Sequence, residues 1–245
     1  MILFIRWVNR SAVSLSLFFL LLPVAYSQII IEDQNGDGEV RGLAIGDSIT
    51  LGIGDGIPSG AFVEGAPLTT GLPGYPGRLE QFFEIPIVNA GIPGEVLTED
   101  AGSRFASQIL SARADYVFIL EGSNDAIFLT ESVDVRAALQ KLVNISRILN
   151  AVPIVMTIPP TFGDRDSLRP FLQSYSAEIR ELTAVNDLLL VDLETAFVQS
   201  CPSSFSCPLI NAPEGLHPNT DGYDLIARVI TEAITGEAIT EEESS

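Results

Sequence analysis

Short, continuous apolar runs recur along the chain and constrain its fold more than any other feature. Each run is partly β-branched, is bounded by polar residues or proline, and shows no alternation of apolar with polar positions. A strand of this kind is buried on both faces, as in a parallel sheet covered by helices. The predicted strands are residues 40–45, 87–89, 116–120, 154–158 and 188–191.

Longer amphipathic segments separate these runs. They predict helices over residues 78–83, 133–149, 168–183 and 221–235. A chain of 245 residues has room for one sizeable core and is short for two ordinary domains. Strands that alternate with helices over this length indicate an α/β sandwich built on a parallel sheet. We expect one domain over residues 40–235.

The two ends of the chain are predicted to lie outside that domain. Residues 1–27 begin with Arg6 and Arg10, continue in an apolar run of about 12 residues and end on small residues. This pattern predicts a secretory signal peptide that is cleaved before Gln28, and hence an extracellular or periplasmic protein. The alternative is a membrane anchor, for which the apolar run is short. Residues 236–245 read as an acidic tail.

Residues 28–39 form a polar lead-in. Asp33, Asn35, Asp37 and Gly38 resemble the first half of a calcium loop. The twelfth position of such a loop is Ala44, where the bidentate glutamate is needed. We therefore favour a turn stabilised by Asx side chains and glycine.

The charge of the chain restricts its partners. There are 13 Lys and Arg residues against 32 Asp and Glu residues, a formal net charge of −19, and removal of residues 1–27 would change it to −21. Such a chain repels nucleic acid and anionic membrane surfaces, so we expect neither as a partner. We expect a monomer, with no stable membrane association after signal cleavage, that acts on a neutral substrate.

The chain has two cysteines, Cys201 and Cys207. Export to an oxidising compartment permits a disulfide between them. The alternative is two free thiols. Two thiols with one distant histidine make a poor zinc site, so no metal is expected.

Three glycine-containing segments follow the first three predicted strands. Ser48 comes directly after Gly46 and Asp47, Gly91 follows the second strand, and Asn124 follows the third. The carboxyl edge of a parallel sheet is where open α/β folds bind ligands. Each segment alone is more typical of a plain turn.

A fourth segment contains the only histidine of the sequence, His217, three residues after Glu214. A serine hydroxyl is a weak nucleophile until a base accepts its proton. In this chain only His217 can be a histidine base for Ser48. A carboxylate at Glu214 is placed to orient the imidazole and to stabilise the imidazolium.

Taken together, the four segments resemble the SGNH hydrolases, also called GDSL esterases and lipases. The resemblance spans residues 40–232, and its four blocks occur in order. It implies a flavodoxin-like three-layer α/β/α sandwich with a five-stranded parallel sheet. It also implies hydrolysis of carboxylic esters, such as short-chain acyl or acetylated carbohydrate esters, without a cofactor.

The resemblance implies a role for each matched residue. Ser48 is the expected nucleophile and His217 the general base. The N–H groups of Ser48 and Gly91 and the side chain of Asn124 form the expected oxyanion hole. The family usually has aspartate where this chain has Glu214, so a Ser–His dyad without an essential acid is the alternative.

Three other acids and one loop complete the expectations. Asp192, a second candidate for the triad acid, is interpreted as a helix N-cap. Asp47 and Asp125 are interpreted as structural acceptors. Residues 52–77, rich in glycine and proline, are expected to wall the substrate pocket.

Two functions compete with ester hydrolysis. One is acyl transfer to an alcohol through the same acyl-enzyme. The other is a non-catalytic protein that binds esters or carbohydrates. The intact serine, histidine and asparagine positions argue against the second.

Overall fold

A computed structural model of the protein describes residues 31–57, 74–201, 203 and 205–239. The predicted signal peptide, part of the 52–77 loop and most of the acidic tail lie outside the described residues. Within the described part, no helix is long and apolar enough to cross a membrane.

Five strands form one parallel sheet in the order β2-β1-β3-β4-β5. The chain forms β1 and β2 on one side of the sheet and then crosses to the other side for β3, so the order reverses beside β1. This is the flavodoxin-like order, with its ligand crevice at the carboxyl ends of β1 and β3. The strands are β1 Gly42–Gly46, β2 Ile87–Gly91, β3 Tyr116–Leu120, β4 Val152–Met156 and β5 Leu190–Val191.

Helices cover both faces of the sheet. Helices α2, α6 and α7 pack on one face, and α3, α4 and α5 on the other. The α-helices are α1 Ser48–Leu51, α2 Tyr75–Phe83, α3 Gly102–Ala112, α4 Ser132–Ile148, α5 Arg169–Asn186, α6 Leu193–Ser200 and α7 Thr220–Thr235. A π-helical turn, Leu97–Ala101, leads into α3, and a 3-10 turn, Gly163–Leu168, leads into α5. This arrangement confirms the three-layer sandwich.

The central strands explain why the apolar runs do not alternate. Every residue of β1 and β3 is buried. Leu43 and Ile45 contribute to the core on the α3–α5 side, whereas Ala44 contributes to the core on the α7 side. Because helices cover both faces, both sets of side chains must be apolar.

The amphipathic pattern did not predict α1, α3 or α6, although the interpretation of Asp192 as an N-cap implied a helix at α6. Helix α3 buries only Phe105 and Ile109 along its 11 residues, so its apolar stripe is narrow. Helix α6 is eight residues long and offers little periodicity. Strand β4 begins two residues earlier than predicted because it includes Pro153, a residue that usually argues against a strand.

The polar lead-in lies against the amino-terminal edge of the sheet. Asp115, which precedes β3, accepts hydrogen bonds from the N–H groups of Gln34 at 2.8 Å and Arg41 at 2.8 Å. Asp33 accepts from Gly36 at 2.6 Å and from Gly38 at 2.8 Å. The lead-in therefore forms the expected Asx-stabilised turn.

Candidate active site

Ser48 occupies the first position of α1, directly beyond the carboxyl end of β1. Asp47 caps this short helix, because its Oδ1 accepts a hydrogen bond from the Ile49 N–H at 2.8 Å. The first N–H groups of a helix have no partner inside the helix. The Ser48 N–H is one of these groups, and it donates to no atom of the described residues.

The Ser48 hydroxyl contacts the only histidine of the chain. Its Oγ lies 2.8 Å from His217 Nε2, across 169 positions of sequence. Asn211 closes the loop that carries the histidine, since its N–H donates to the His217 carbonyl at 2.9 Å and its side-chain amide to the Pro218 carbonyl at 3.0 Å. The structure thus brings together the predicted nucleophile and base.

Glu214 lies behind the imidazole. Its Oε1 is 2.7 Å from His217 Nδ1, and its Oε2 accepts from the His217 N–H at 3.1 Å. The approach of Oε1 to the ring is short but falls outside linear hydrogen-bond geometry, so it is best described as a close polar contact. Burial acts to raise the pKa of Glu214, but the contacts with His217 outweigh it and lower that pKa below its usual value.

The other candidate acid, Asp192, is used elsewhere. It caps α6 by accepting from the Thr195 N–H at 3.1 Å. Arg180 binds both of its oxygens, at 2.9 and 2.7 Å. Burial opposes ionisation of Asp192, but these contacts lower its pKa to about 2. The interpretation of Asp192 as an N-cap is therefore confirmed.

Gly91 and Asn124, two predicted oxyanion donors, already have partners in this structure. The Gly91 N–H donates to Asn89 Oδ1 at 3.0 Å. The Asn124 amide donates to the Glu95 carbonyl at 2.9 Å and to Asp47 Oδ2 at 3.2 Å. Gly91 has a packing role as well, because a Cβ there would lie 2.2 Å from the Leu51 nitrogen.

Gly94 is a candidate donor that the sequence analysis did not single out. It stands three residues after Gly91 in the same loop, at a φ of +78° that favours glycine. Its N–H donates to no described atom, and a Cβ there would meet nothing within 4 Å. The signal in the sequence was a second glycine in the segment that also contains Gly91.

Asp47 and Asp125 hold the loops of the site together, as predicted. Asp47 also accepts from the Ser123 hydroxyl. Burial raises the pKa of Asp47, and the hydrogen bonds from Ser123 and from the Ile49 N–H oppose the rise only in part. Asp125 accepts from the Leu97 N–H at 2.9 Å and therefore joins the loop after β3 to the turn after β2.

A cavity of about 440 Å³ opens beside His217. One wall consists of Ile53, Gly54, Gly56 and Ile57, which agrees with the expectation for the part of the 52–77 loop that the structure describes. The opposite wall includes Asn211, Ala212 and Glu214. Among the described residues of the lining, the ionisable side chains are those of Glu214 and His217.

A disulfide joins Cys201 to Cys207, between α6 and the histidine loop. The predicted pairing of the two cysteines is therefore present. Among the described residues, no three His, Cys, Asp or Glu side chains are grouped as a metal site.

Comparisons with known proteins identify the family and the fold. The sequence model of the GDSL-like lipase/acylhydrolase family matches residues 44–225. The uncharacterized lipoprotein YqeF of Bacillus subtilis (strain 168) is 30% identical over 139 residues, which cover 46% of this chain and 57% of YqeF. This chain thus spans just over half the length of that curated relative.

Two solved structures show the same architecture. Axe2, an acetylxylan esterase from Geobacillus stearothermophilus, superposes with a TM-score of 0.64 and 25% identity over 85% of this chain and 99% of Axe2. The lipase/acylhydrolase from Enterococcus faecalis superposes with a TM-score of 0.65 and 23% identity over 82% of this chain and 99% of that one, and shows the fold alone.

The sandwich and the family match define a carboxylic ester hydrolase. The chain belongs to the GDSL-like lipase/acylhydrolase family, which confirms the resemblance drawn from its four sequence segments.

Proposed function

We propose that this protein hydrolyses carboxylic esters through an acyl-enzyme on Ser48. The observation that carries the proposal is the 2.8 Å contact between Ser48 Oγ and His217 Nε2, with the Glu214 carboxylate 2.7 Å behind the ring. Nucleophile, base and orienting acid thus stand in the order that acyl transfer requires.

The proton moves twice through His217. In acylation, Nε2 accepts the Ser48 proton as Oγ attacks the ester carbonyl, and it then donates that proton to the departing alcohol. In deacylation, Nε2 accepts a proton from water as the water oxygen attacks the acyl carbon. The imidazolium then returns this proton to Oγ as the bond from Oγ to the acyl carbon breaks, which releases the carboxylic acid and restores the Ser48 hydroxyl and the neutral His217. Glu214 stabilises the imidazolium at both stages, because its lowered pKa keeps it ionised at neutral pH.

We propose three donors for the tetrahedral oxyanion: the N–H groups of Ser48 and Gly94 and the amide of Asn124. Gly94 replaces Gly91 in this proposal, because the Gly91 N–H already donates to Asn89. The Asn124 amide donates to the oxyanion in place of Asp47, to which its longer hydrogen bond, of 3.2 Å, is made in this structure. Loss of one such donor typically costs about 10²–10³ in kcat.

For the substrate we propose an acetylated carbohydrate or another short-chain acyl ester. The cavity lies on the side of His217, the group that protonates the departing alcohol, so its 440 Å³ is available to the alcohol portion. Its lining suits a neutral alcohol, and the net charge of −19 disfavours an anionic one. The similarity to an acetylxylan esterase supports the same class.

We further propose that the protein acts outside the cytoplasm. The Cys201–Cys207 disulfide supports this location, since such bonds persist in oxidising compartments. The name of the Bacillus subtilis relative, a lipoprotein, points in the same direction. Cell fractionation, together with the mass of the purified native protein, tests both the location and the cleavage before Gln28.

The central experiment combines a covalent probe with a substrate panel. A serine-directed phosphonate is expected to label Ser48 at neutral pH and to leave Ser48→Ala unlabelled. Acetylated xylan and p-nitrophenyl esters of increasing chain length then rank the substrates. Lysophospholipid tests a charged alternative, and added alcohols distinguish acyl transfer from hydrolysis. If the folded wild type forms no adduct and cleaves no ester, a non-catalytic binding protein is the better description.

A further inference from the structure

Beneath the catalytic loops lies a cluster of four charged side chains, Asp47, Glu95, Glu121 and Arg104, which we call the sub-site cluster. Its three acids come from the ends of β1, β2 and β3, and all are buried, Glu121 with only 1% of its surface exposed. Among the three carboxyl groups, Glu95 and Glu121 lie within ion-pair distance of the Arg104 guanidinium. Buried carboxylates so close together cannot all ionise without a large cost.

Arg104 connects the cluster to the edge of the sheet. Its Nε donates to Glu95 Oε1 at 2.6 Å and its guanidinium donates to the Ala90 carbonyl at 2.8 Å and the Gly46 carbonyl at 3.3 Å. Glu121 lies farther away, 3.9 Å from the guanidinium. The arginine is therefore the partner of Glu95 and only a distant neighbour of Glu121.

Glu121 lacks the partners that a buried carboxylate needs. No N–H or hydroxyl group of the described residues donates to either of its oxygens. Burial, first of all, and then the neighbouring charges of Asp47 and Glu95 raise the pKa of Glu121 well above its usual range. Two carboxyl groups can form a hydrogen bond only when one of them carries a proton.

We propose that Glu121 is a positioning residue whose protonated carboxyl donates to the Glu95 carboxylate and thereby fixes the oxyanion donors above it. This inference rests on the proposed esterase function. Glu95 is the link, because its carbonyl accepts the Asn124 amide at 2.9 Å and its nitrogen follows Gly94 directly. Displacement of Glu95 therefore disturbs two of the three proposed donors.

The sign of the pH dependence follows from the groups that face Glu121. These groups are Asp47, Glu95, Arg104 and, from α2, the Tyr75 phenol. Burial also raises the pKa of that phenol above its ordinary value. A carboxyl whose pKa is raised by folding stabilises the folded state fully below its unfolded pKa and loses that contribution as the pH rises through the folded pKa. Glu121 therefore makes the protein less stable as the pH rises above about 4.5.

The first test compares unfolding of wild type and Glu121→Gln at pH 5 and pH 8. Glutamine keeps an N–H donor toward Glu95 but cannot ionise. We expect the unfolding constant of the wild type to rise from pH 5 to pH 8 by at least about tenfold more than that of the variant, since one unit of pKa shift corresponds to tenfold. The matched control is Glu181→Gln, a surface glutamate paired with Arg136, which should follow the wild type.

The second test measures catalysis. Glu121→Leu removes the donor, and we expect kcat to fall about tenfold with KM within about twofold, because the loss falls on oxyanion positioning. Glu121→Gln should recover kcat to within about threefold of the wild type. Equal pH dependence of unfolding in wild type and Glu121→Gln would overturn the proposal, and so would a Leu variant altered only in KM.

These outcomes separate the two proposals. A wild type that cleaves no ester removes the proposed function and the positioning role with it, whereas the unfolding comparison still reports whether Glu121 carries a proton. If the wild type is active and the Glu121 variants have the same kcat and the same pH dependence of unfolding as the wild type, only the positioning role is ruled out. If Glu121→Leu fails to fold, Glu121→Met, which also lacks a donor, takes its place in the kcat measurement, and Glu121→Gln still decides the unfolding measurement.

Discussion

The two edges of the sheet both contain buried acids, but they use them differently. At the amino edge, Asp115 is fully buried and accepts three backbone hydrogen bonds, from Gln34, Asn35 and Arg41. At the carboxyl edge, Glu121 is just as buried and neither of its oxygens receives a hydrogen bond from an N–H or hydroxyl group of the described residues. The backbone supplies hydrogen-bond donors to Asp115, whereas Glu121 has the carboxyl group of Glu95 as its neighbour.

This difference suggests that the acid at the amino edge contributes to stability and that the acids at the carboxyl edge contribute to the reaction. Buried polar groups in proteins are almost always satisfied, and exceptions concentrate at functional sites. Asp115 attaches the lead-in to the sheet, a purely structural task. The acids at the carboxyl edge stand beside the Ser48–His217 pair. Substitutions at the two edges should therefore separate stability from activity.

The largest effect is expected from His217→Ala. Without this base the Ser48 proton has no acceptor, and kcat should fall about 10⁴-fold or more, measured on the best p-nitrophenyl ester. The free energy of unfolding should change by no more than about 1 kcal/mol, because the side chain serves the reaction. A variant that retains activity within tenfold of the wild type would remove His217 from the mechanism.

The opposite result is expected from Asp115→Ala. Three backbone N–H groups lose their acceptor, and we expect the free energy of unfolding in urea to fall by about 3 kcal/mol. The kcat of the folded protein should stay within about twofold. Asp166→Ala, at a side chain that is 53% exposed, is the matched control and should cost less than about 1 kcal/mol. Loss of activity in folded Asp115→Ala would contradict the conclusion that the acid at the amino edge has a purely structural task.

A smaller effect is expected from Glu214→Gln. The amide keeps the size of the side chain but removes the charge that stabilises the imidazolium, so kcat should fall about 30-fold, less than in His217→Ala. Asp192→Asn should leave kcat within about twofold, because that acid is bound by Arg180. If Glu214→Gln is silent and Asp192→Asn is inactive, the two acids have been assigned the wrong way round.

The smallest effect concerns acid stability. The pKa of Asp192 is lowered to about 2, so its contribution is present above its ordinary value near 4 and is lost as the pH falls toward 2. Solvent screens this pair, since the Asp192 and Arg180 side chains are about one-third exposed, and we expect about 1 kcal/mol. Urea unfolding of wild type and Asp192→Asn should differ at pH 5 and converge near pH 2.5. A constant difference would attribute the effect to the helix cap alone.

Local pattern was sufficient to predict most of the fold. The strands are short, apolar on both faces and bounded by breakers, and these properties are local. The amphipathic pattern missed α1, α3 and α6, which are short or bury too few positions to show a period, and only the capping residue Asp192 indicated α6. It also placed β4 two residues late, because Pro153 reads as a breaker in sequence and is tolerated at this position of the sheet.

A site residue could be predicted from the sequence where its residue type occurs only once. It could not be predicted where several residues of the same type are candidates and only their geometry distinguishes them. His217 is the only histidine, so its assignment required no structure. Gly91 and Gly94 are equivalent in sequence, and only the structure shows that Asn89 accepts the N–H of the first. Glu121 and Glu95 are 26 positions apart, and their proximity arises from the alignment of β2 and β3 on either side of β1.

The anchoring of the lead-in at Asp115 also determines how the protein can be tethered. Ile31, the first described residue, packs beneath the amino edge of the sheet, while Ser48 opens at the opposite edge. Helix α7 starts beside His217 and runs back through its 16 residues, so the described chain also finishes away from the cavity. The first and last described residues therefore both lie away from the mouth of the site, so an attachment at either of these two points, whether to a surface, a carrier module or a matrix, leaves the cavity open.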